Sequence, residues 1–547
     1  MKTNVSLCIA AALMVAACGD PSHRHNSGEK VSVINSTPDE VIEEDVEITS
    51  NEAALMEPSA NATSKMILSS PPPPQQRNAE TYKEIKENSF VAVAQQPVTT
   101  FSADVDRAAY ANVRRIIGYG QIPPKDAVRI EEMVNYFDYD YPAPEEGSVS
   151  PLQVSPELAP APWNPNHLLL RIGLQAKKID LAKAPPSNIV FLIDVSGSMD
   201  EENKLPLLQS SFKMLLGQLR PDDKVAIVTY ANGTKVALPS TSVKDKEKII
   251  KVLDNLYASG GTSGGKGIQL AYEQAQKSFI KNGNNRIILA TDGDFNIGIN
   301  NTTDLEKFIE KQRESGIYMS VLGFGIGNYR DDMAETIADK GNGNYAYIDN
   351  ITEAKKVLVN ELSGTLFAVA KDVKLQLEFN PKYVKEYKLI GYENRMLANE
   401  DFTNDKKDAG EIGAGHTVTA LYELVPSDGK VAQSLRYQSQ ELNEKGKGNE
   451  LGFLKIRYKD PKVKDAKSVE ITEPLVFNKK ALKETSADYR FAASVAEFGI
   501  LLRDNSNKAN ATYDQVIELA EGAIGKDPEG YRKEFVRLVK SVKMLPK

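Results

Sequence analysis

The sequence predicts an α/β fold: a doubly wound, mostly parallel sheet inserted in a flanking β-sandwich, with a small helical unit at the C-terminus. Three observations carry this expectation. Five consecutive apolar residues, Ile189 to Ile193, read as a short strand covered on both faces. Between Ser187 and Leu362, short apolar runs alternate with helical periodicity, as in parallel β-α units. On both sides of that span the alternation gives way to strand-like segments separated by polar or charged turns.

The 547 residues allow two to four domains, and 41% hydrophobic with 26% charged content is ordinary for globular protein. A net charge of -8 argues against nucleic acid or an anionic membrane surface as main partner. Cys8 and Cys18 are the only cysteines, so nothing downstream forms an intrachain disulfide. Lys2 precedes an apolar run from Val5 to Ala17, too short for a mature spanning helix and typical of a signal peptide, residues 1–17. The run ends Val15-Ala16-Ala17-Cys18, which resembles a bacterial lipobox. That resemblance makes Cys18 the lipid-modified first mature residue, held in the cell envelope by acyl chains such as palmitate. A plain signal peptide cut near Ala17 is the alternative.

Residues 18–96 lack periodicity, carry an acidic patch at Glu43, Glu44, Asp45 and Glu47, and contain the proline run Pro71 to Pro74. Such a composition does not bury enough apolar surface to offset ordering entropy, so a disordered tether is expected. His23 and His25 within it are read as inert. In residues 97–186, Ser102 is placed as the cap of a helix running to Ile117, with Val105, Ala109, Val113 and Ile116 on one side. After Pro123-Pro124, Arg129 to Phe137 reads as a second short helix. Leu152 to Leu158 and Leu168 to Leu174, around the lone Trp163, read as extended packing segments.

Residues 187–362 form the central α/β unit. After the first strand, Leu205, Leu208, Phe212, Leu215 and Leu219 mark a helix. Val225 to Tyr230 follows as a strand, Lys244 to Leu256 and Gly264 to Phe279 as helices, and Ile287 to Ala290 as a strand. Thr303 to Glu314, Tyr318 to Gly323, Asp331 to Lys340, Tyr345 to Ile348 and Thr352 to Leu362 continue the alternation. A doubly wound sheet places its site at the carboxyl ends of its strands. Residues 363–484 read as β-rich, with strands Val373 to Phe379, Val384 to Ile390, Thr417 to Leu424, Leu451 to Tyr458 and Ser468 to Leu475. In residues 485–547 the helical period returns with Phe491, Val495, Phe498 and Leu502. Thr512-Tyr513-Asp514-Gln515 reads as a capping box, and Tyr531 to Val542 as the last helix.

Three polar turns carry the chemistry. Asp194-Val195-Ser196-Gly197-Ser198 sets one carboxylate and two hydroxyls after the first strand; Gly260-Gly261-Thr262 and Thr291-Asp292-Gly293 follow later elements. Alone, the first turn reads equally as hard oxygen ligands for Mg2+ or as helix caps. Together, the three loops Asp-x-Ser-x-Ser, Thr and Asp-Gly resemble the von Willebrand factor type A (VWA) domain and its metal-ion-dependent adhesion site (MIDAS). The resemblance spans residues 187–362. It implies that Ser196 and Ser198 bind a divalent ion through their hydroxyls and that Thr262 binds directly or through water. Asp194 and Asp292 are implied to act mostly through ordered waters. One coordination position stays open for an acidic side chain of a protein partner. The ion is Mg2+ or Mn2+, and the all-oxygen set disfavours zinc.

Other signals are weaker. Gly260 to Lys266 half-matches a nucleotide-binding loop, but Gly267 stands where Ser or Thr is required. Asp292-x-Asp294-x-Asn296 starts like a calcium loop, yet Thr303 stands where the bidentate Glu belongs. Gly413-Ala414-Gly415-His416, with Asp405 and Asp408, invites a metal or catalytic reading; a glycine-rich turn before a strand is the simpler account. Thr99 to Pro144, Asp408 to His416 and the Phe491 and Tyr531 helices resemble bacterial VWA lipoproteins with a C-terminal domain of unknown function. The resulting expectation is a non-enzymatic, lipid-anchored protein of the bacterial cell envelope, on its periplasmic face or the cell surface. It binds a protein partner through the metal and takes neither nucleic acid nor nucleotide. An envelope hydrolase, or an adaptor or chaperone subunit of a larger complex, is the alternative.

Overall fold

The computed structural model describes residues 80–103, 106–262, 264–293, 302–327, 329–428, 448–463, 466–504 and 508–546. Cys18, the signal segment, His23, His25, Pro71 to Pro74, Val105 and Asp294 to Asn296 lie outside them.

The central domain is built on a six-stranded sheet. Its strands are β1 (Ser187–Asp194), β2 (Lys224–Tyr230), β3 (Thr234–Ser242), β4 (Asn284–Thr291), β5 (Tyr318–Phe324) and β6 (Tyr345–Ile348). Their spatial order is β6-β5-β4-β1-β2-β3. All pairings are parallel except that of β2 with β3. The helices are α1 (Leu205–Gln218), α2 (Lys246–Asp254), α3 (Gly264–Lys277), α4 (Thr302–Arg313) and α5 (Asp331–Lys340).

The unbroken apolar run of β1 now has its physical reason. Ile189, Phe191 and Ile193 pack with Leu208, Phe212 and Leu215 of α1 on one face. Val190 and Leu192 pack with Ile268, Ala271 and Tyr272 of α3 and Ile309 of α4 on the other. Alternate side chains of one strand thus serve two helical layers, which is what a doubly wound sheet demands. The chain builds outward from β1 through β2 to β3, then returns to the opposite side with β4. The sheet therefore changes winding direction beside the carboxyl end of β1.

Segments from both sides of the central domain assemble the sandwich. One antiparallel sheet joins Val91–Ala92, Val384–Ile390, Thr417–Pro426, Asn164–Ala176 and Leu152–Ala161. The other joins Gly410–Gly413, Ala368–Phe379, Glu450–Lys459 and Val469–Val476, with Val98–Ser102 also paired to Ala368–Phe379. Leu170, Ile172 and Tyr422 of the first sheet share one core with Leu375, Leu377 and Leu454 of the second. Helices Ala108–Gly118, Ile130–Asn135, Ala487–Leu502, Tyr513–Glu521 and Tyr531–Met544 supply residues to a third core, with Trp163 fully buried among them. No described helix is long and apolar enough to cross a membrane.

Four expectations need correction. Ser102 ends a strand and caps no helix; its Oγ accepts a hydrogen bond from Gly410 N at 2.7 Å, and the helix starts at Ala108. Residues 80–96, expected in the tether, are packed: Glu80 pairs with Arg115 at 2.8 Å, and Val91–Ala92 joins a sheet. The helix expected over Thr352 to Leu362 breaks into Ile351–Lys355, a π turn at Lys356–Asn360 and Leu362–Leu366. Thr512 caps its helix, but Gln515 does not return the bond; its amide donates to Pro162 O at 2.6 Å.

Arginines hold the central domain in this frame. Arg129, beside Ile130–Asn135, reaches Glu132 and Asp331 of α5, the latter at 2.5 Å. Arg395 binds Asp106 at 3.0 Å, Glu335 at 3.3 Å and Asp339 at 2.6 Å. Arg114 binds Asp349, Glu353 and Glu534 of the last helix at 2.5–2.8 Å.

Candidate metal site

The three polar turns meet beside the carboxyl end of β1. Asp194 is the last residue of that strand and is fully buried. Its Oδ1 accepts from Ser196 N at 2.9 Å, which folds the backbone so that Ser196 and Ser198 stand side by side. Their Oγ atoms are 3.0 Å apart. Ser196 is buried and Ser198 exposed, so the pair faces from the strand end toward solvent.

Backbone bonds draw in the second loop. Ser259 N donates to Val195 O and Gly197 N donates to Gly260 O, both at 2.8 Å. Gly260 holds φ +78, and a Cβ there would fall 2.3 Å from the Asn232 side chain, so glycine is required. The Asn232 amide oxygen in turn accepts from Gly261 N. This stitching fixes the backbone just before Thr262, which is half-buried.

The third loop leaves β4, the neighbour of β1 in the sheet. Thr291 Oγ1 lies 3.4 Å from Asp194 Oδ2 as a donor and accepts from Gly293 N at 3.1 Å. Asp292 is buried beside them. Burial pushes the Asp194 carboxyl up to about 6, and the nearby charge of Asp292 adds to the rise. Two buried carboxylates that influence one another favour a cation nearby.

All five expected site residues therefore lie on loops that the fold brings together. Sequence reasoning missed Lys204. Its Nζ lies 3.3 Å from Asp292 Oδ2 and donates to Ser198 O at 2.9 Å, bridging two of the loops. Nothing in its spacing marks it, because it sits just ahead of α1, outside the periodic region.

The weaker signals disperse. Asp405 binds Arg457 at 2.9 Å and Asp408 binds Arg313 at 2.6 Å. His416 is packed against Gly364, and burial pushes its pKa down to about 3, which keeps it neutral. The segment Gly260 to Lys266 runs from the site loop into α3 without a preceding strand, unlike a phosphate loop.

Known proteins match along most of the described chain. Residues 188–360 match the von Willebrand factor type A domain, and residues 76–171 match a family described as von Willebrand factor. Residues 364–545 match the family described as uncharacterized protein YfbK, C-terminal. Uncharacterized protein YfbK of Escherichia coli (strain K12) is 48% identical over 465 residues, covering 84% of this chain and 80% of its own length. The chain belongs to the YfbK family of bacterial VWA proteins. A second relative, uncharacterized protein sll0103 of Synechocystis, is 30% identical over 185 residues, covering 34% of this chain and 43% of its own length. Among solved structures, a von Willebrand factor type A protein from Catenulispora acidiphila covers 84% of this chain and 91% of its own, at 13% identity and TM-score 0.40. The α/β domain with the three loops is thus a VWA domain, a fold that mediates protein–protein contacts and often carries a divalent metal.

Proposed function

We propose that this YfbK-family protein binds a protein partner in the bacterial cell envelope through a divalent ion, Mg2+ or Mn2+, held by its VWA loops. One distance carries the reading. Ligand oxygens bound side by side to Mg2+, at bonds of about 2.1 Å and right angles, stand about 3.0 Å apart. Ser196 Oγ and Ser198 Oγ, hydrogen-bonded to each other, are already separated by 3.0 Å. The donor set fits: hydroxyls from Ser196, Ser198 and Thr262 are hard oxygens, and Asp194 and Asp292 supply negative charge. The bound ion would act as a Lewis acid with a position left for a carboxylate of the partner.

Each residue has a task in that reading. Asp194 orients Ser196 through its backbone N–H while its own carboxylate stays buried. Ser198 presents its hydroxyl at the surface, where a partner arrives. The Gly260 carbonyl keeps the Thr262 loop against the serine loop. We read the chain as a binding protein, on the strength of its VWA loops. Lipid attachment at Cys18, outside the described residues, is the proposed anchor.

The test is capture from envelope extract by full-length protein, with and without EDTA. Retention that depends on the ion and is lost in Asp292→Ala supports the reading. Equal retention in EDTA contradicts it. Cys18→Ser should move the protein from membrane to soluble fractions; a variant that resists carbonate washing would refute the anchor.

A further inference from the structure

We infer that Lys204 is a resident counter-charge of the metal site, a side chain that competes electrostatically with the divalent ion and holds its affinity down. This inference rests on the metal reading above and adds a residue that tunes the site.

The ammonium is held at the site from three directions. It lies 3.3 Å from Asp292 Oδ2, 2.9 Å from Ser198 O and 3.3 Å from Glu201 Oε1. The Lys204 side chain is 7% exposed, whereas that of Glu201 is 57% exposed. Asp292, with its side chain 4% exposed, is therefore the shielded partner, and Glu201 is a solvated one. The aliphatic stem is fixed as well. Gly325, just past β5, holds φ +80, and a Cβ there would fall 2.3 Å from Lys204 Cε. Glycine at 325, favoured by its positive φ, leaves the space that the lysine stem fills. A surface lysine placed only for solubility needs no such channel.

The carboxylates of Asp194 and Asp292 carry two negative charges, and Lys204 cancels one. A divalent ion entering this site meets one net negative charge instead of two, and it feels the like charge of the ammonium. The ion is bound less tightly, and the loaded site keeps a net positive charge for an incoming carboxylate. A lysine suits this role because its ammonium is a compact point charge on a flexible stem. An arginine fork would fill the carboxylate's acceptor positions.

A purely structural role makes the opposite prediction. If Lys204 only clamps the serine loop to the Asp292 loop, its removal loosens both and weakens the ion. Titration calorimetry with MgCl2 on the full chain separates the two, using wild type, Asp194→Ala, Lys204→Met and Glu201→Gln. Lys204→Met keeps the stem over Gly325 and removes the charge. We expect it to tighten Mg2+ binding by about tenfold or more, since a like charge within a few ångströms of the ion's ligands in partly buried surroundings weighs at least that much. Glu201→Gln should change the affinity less than about threefold, as an exposed pair is screened. Unchanged or weaker binding in Lys204→Met, with wild type binding through Asp194, overturns this inference and leaves the metal reading standing. Absence of Mg2+ heats in both wild type and Lys204→Met overturns the metal reading and this inference together. If Lys204→Met fails to fold, Lys204→Gln decides; failure of both makes the residue a structural clamp and refutes the proposal.

Discussion

At the seam between the VWA domain and its frame, Asp106, Glu132 and Glu335 bring carboxylate oxygens within 4.8 Å of one another. At the end of β1, Asp194 and Asp292 are two further buried acids, and the charge of Asp292 helps raise the Asp194 carboxyl. The two acidic groups are treated differently. In the seam, Arg129 takes Glu132 and Asp331, and Arg395 takes Asp106, Glu335 and Asp339. At the strand end, Asp292 pairs with a single lysine, Lys204, at 3.3 Å, while Asp194, among the described residues, pairs with no arginine or lysine; it takes a backbone N–H and a threonine hydroxyl. Planar arginine forks fill carboxylate oxygens and leave little room for an ion. Hydroxyls and N–H groups orient carboxylates without neutralising them. The comparison teaches that buried acids do not identify a metal site until their counter-charges are known.

The largest effect should come from breaking the seam. Arg129→Met removes the partner of two buried carboxylates, and stability should fall by about 3–5 kcal/mol, since an uncompensated buried charge is left behind. Chemical denaturation measures this, and Mg2+ affinity should be unchanged. A stable Arg129→Met variant would show that the seam is not held by its ion pairs.

A third buried acid sharpens the contrast, because among the described residues it has no arginine partner and lies within a helix. Glu497 lies inside the helix Ala487–Leu502, and burial pushes its pKa up to about 8. Its folded value is above its unfolded one, so its contribution is fully present below about pH 4.5 and is lost as pH rises through 8. Glu497→Gln mimics the protonated acid and can still accept from Thr512 N, which lies 3.4 Å from Oε1. The variant should be more stable than wild type by about 1–3 kcal/mol at pH 7 and nearly equal at pH 4.5. Thermal melts at the two pH values check the sign.

The smallest effect is expected at Glu335. Burial raises its pKa, and its Oε2 has no hydrogen-bond partner among the described residues. Arg395 keeps Asp106 and Asp339 without it, so Glu335→Gln should change stability by less than about 1 kcal/mol. A metal-dependent change in its melting temperature would mean that the seam, too, holds an ion.

Much of this architecture was legible because it depends on local periodicity. The five apolar residues of β1 announced two covered faces, and Asp331–Lys340 and Tyr345–Ile348 fall where the pattern places them. The edge strand β3 was missed because it carries Thr234, Lys235 and Pro239 and pairs on one side only, to β2. Residues 80–96 read as tether because their order comes from distant partners: Arg115 for Glu80, and Tyr387 and Glu386 for Val91 and Ala92. The site loops were legible through the Asp-x-Ser-x-Ser pattern and its two companions. Lys204 was not, since only the close approach at Gly325 and Asp292 reveals it.

The central claim is that the strand-end loops of the VWA domain, and not the arginine-filled seam, hold one divalent ion. Titration of MgCl2 into full-length wild type and Asp194→Ala tests it most directly. Wild type should give a single-site isotherm and Asp194→Ala none, with the metal-free melting temperature of the variant close to that of wild type. Equal heats in the two proteins would contradict it.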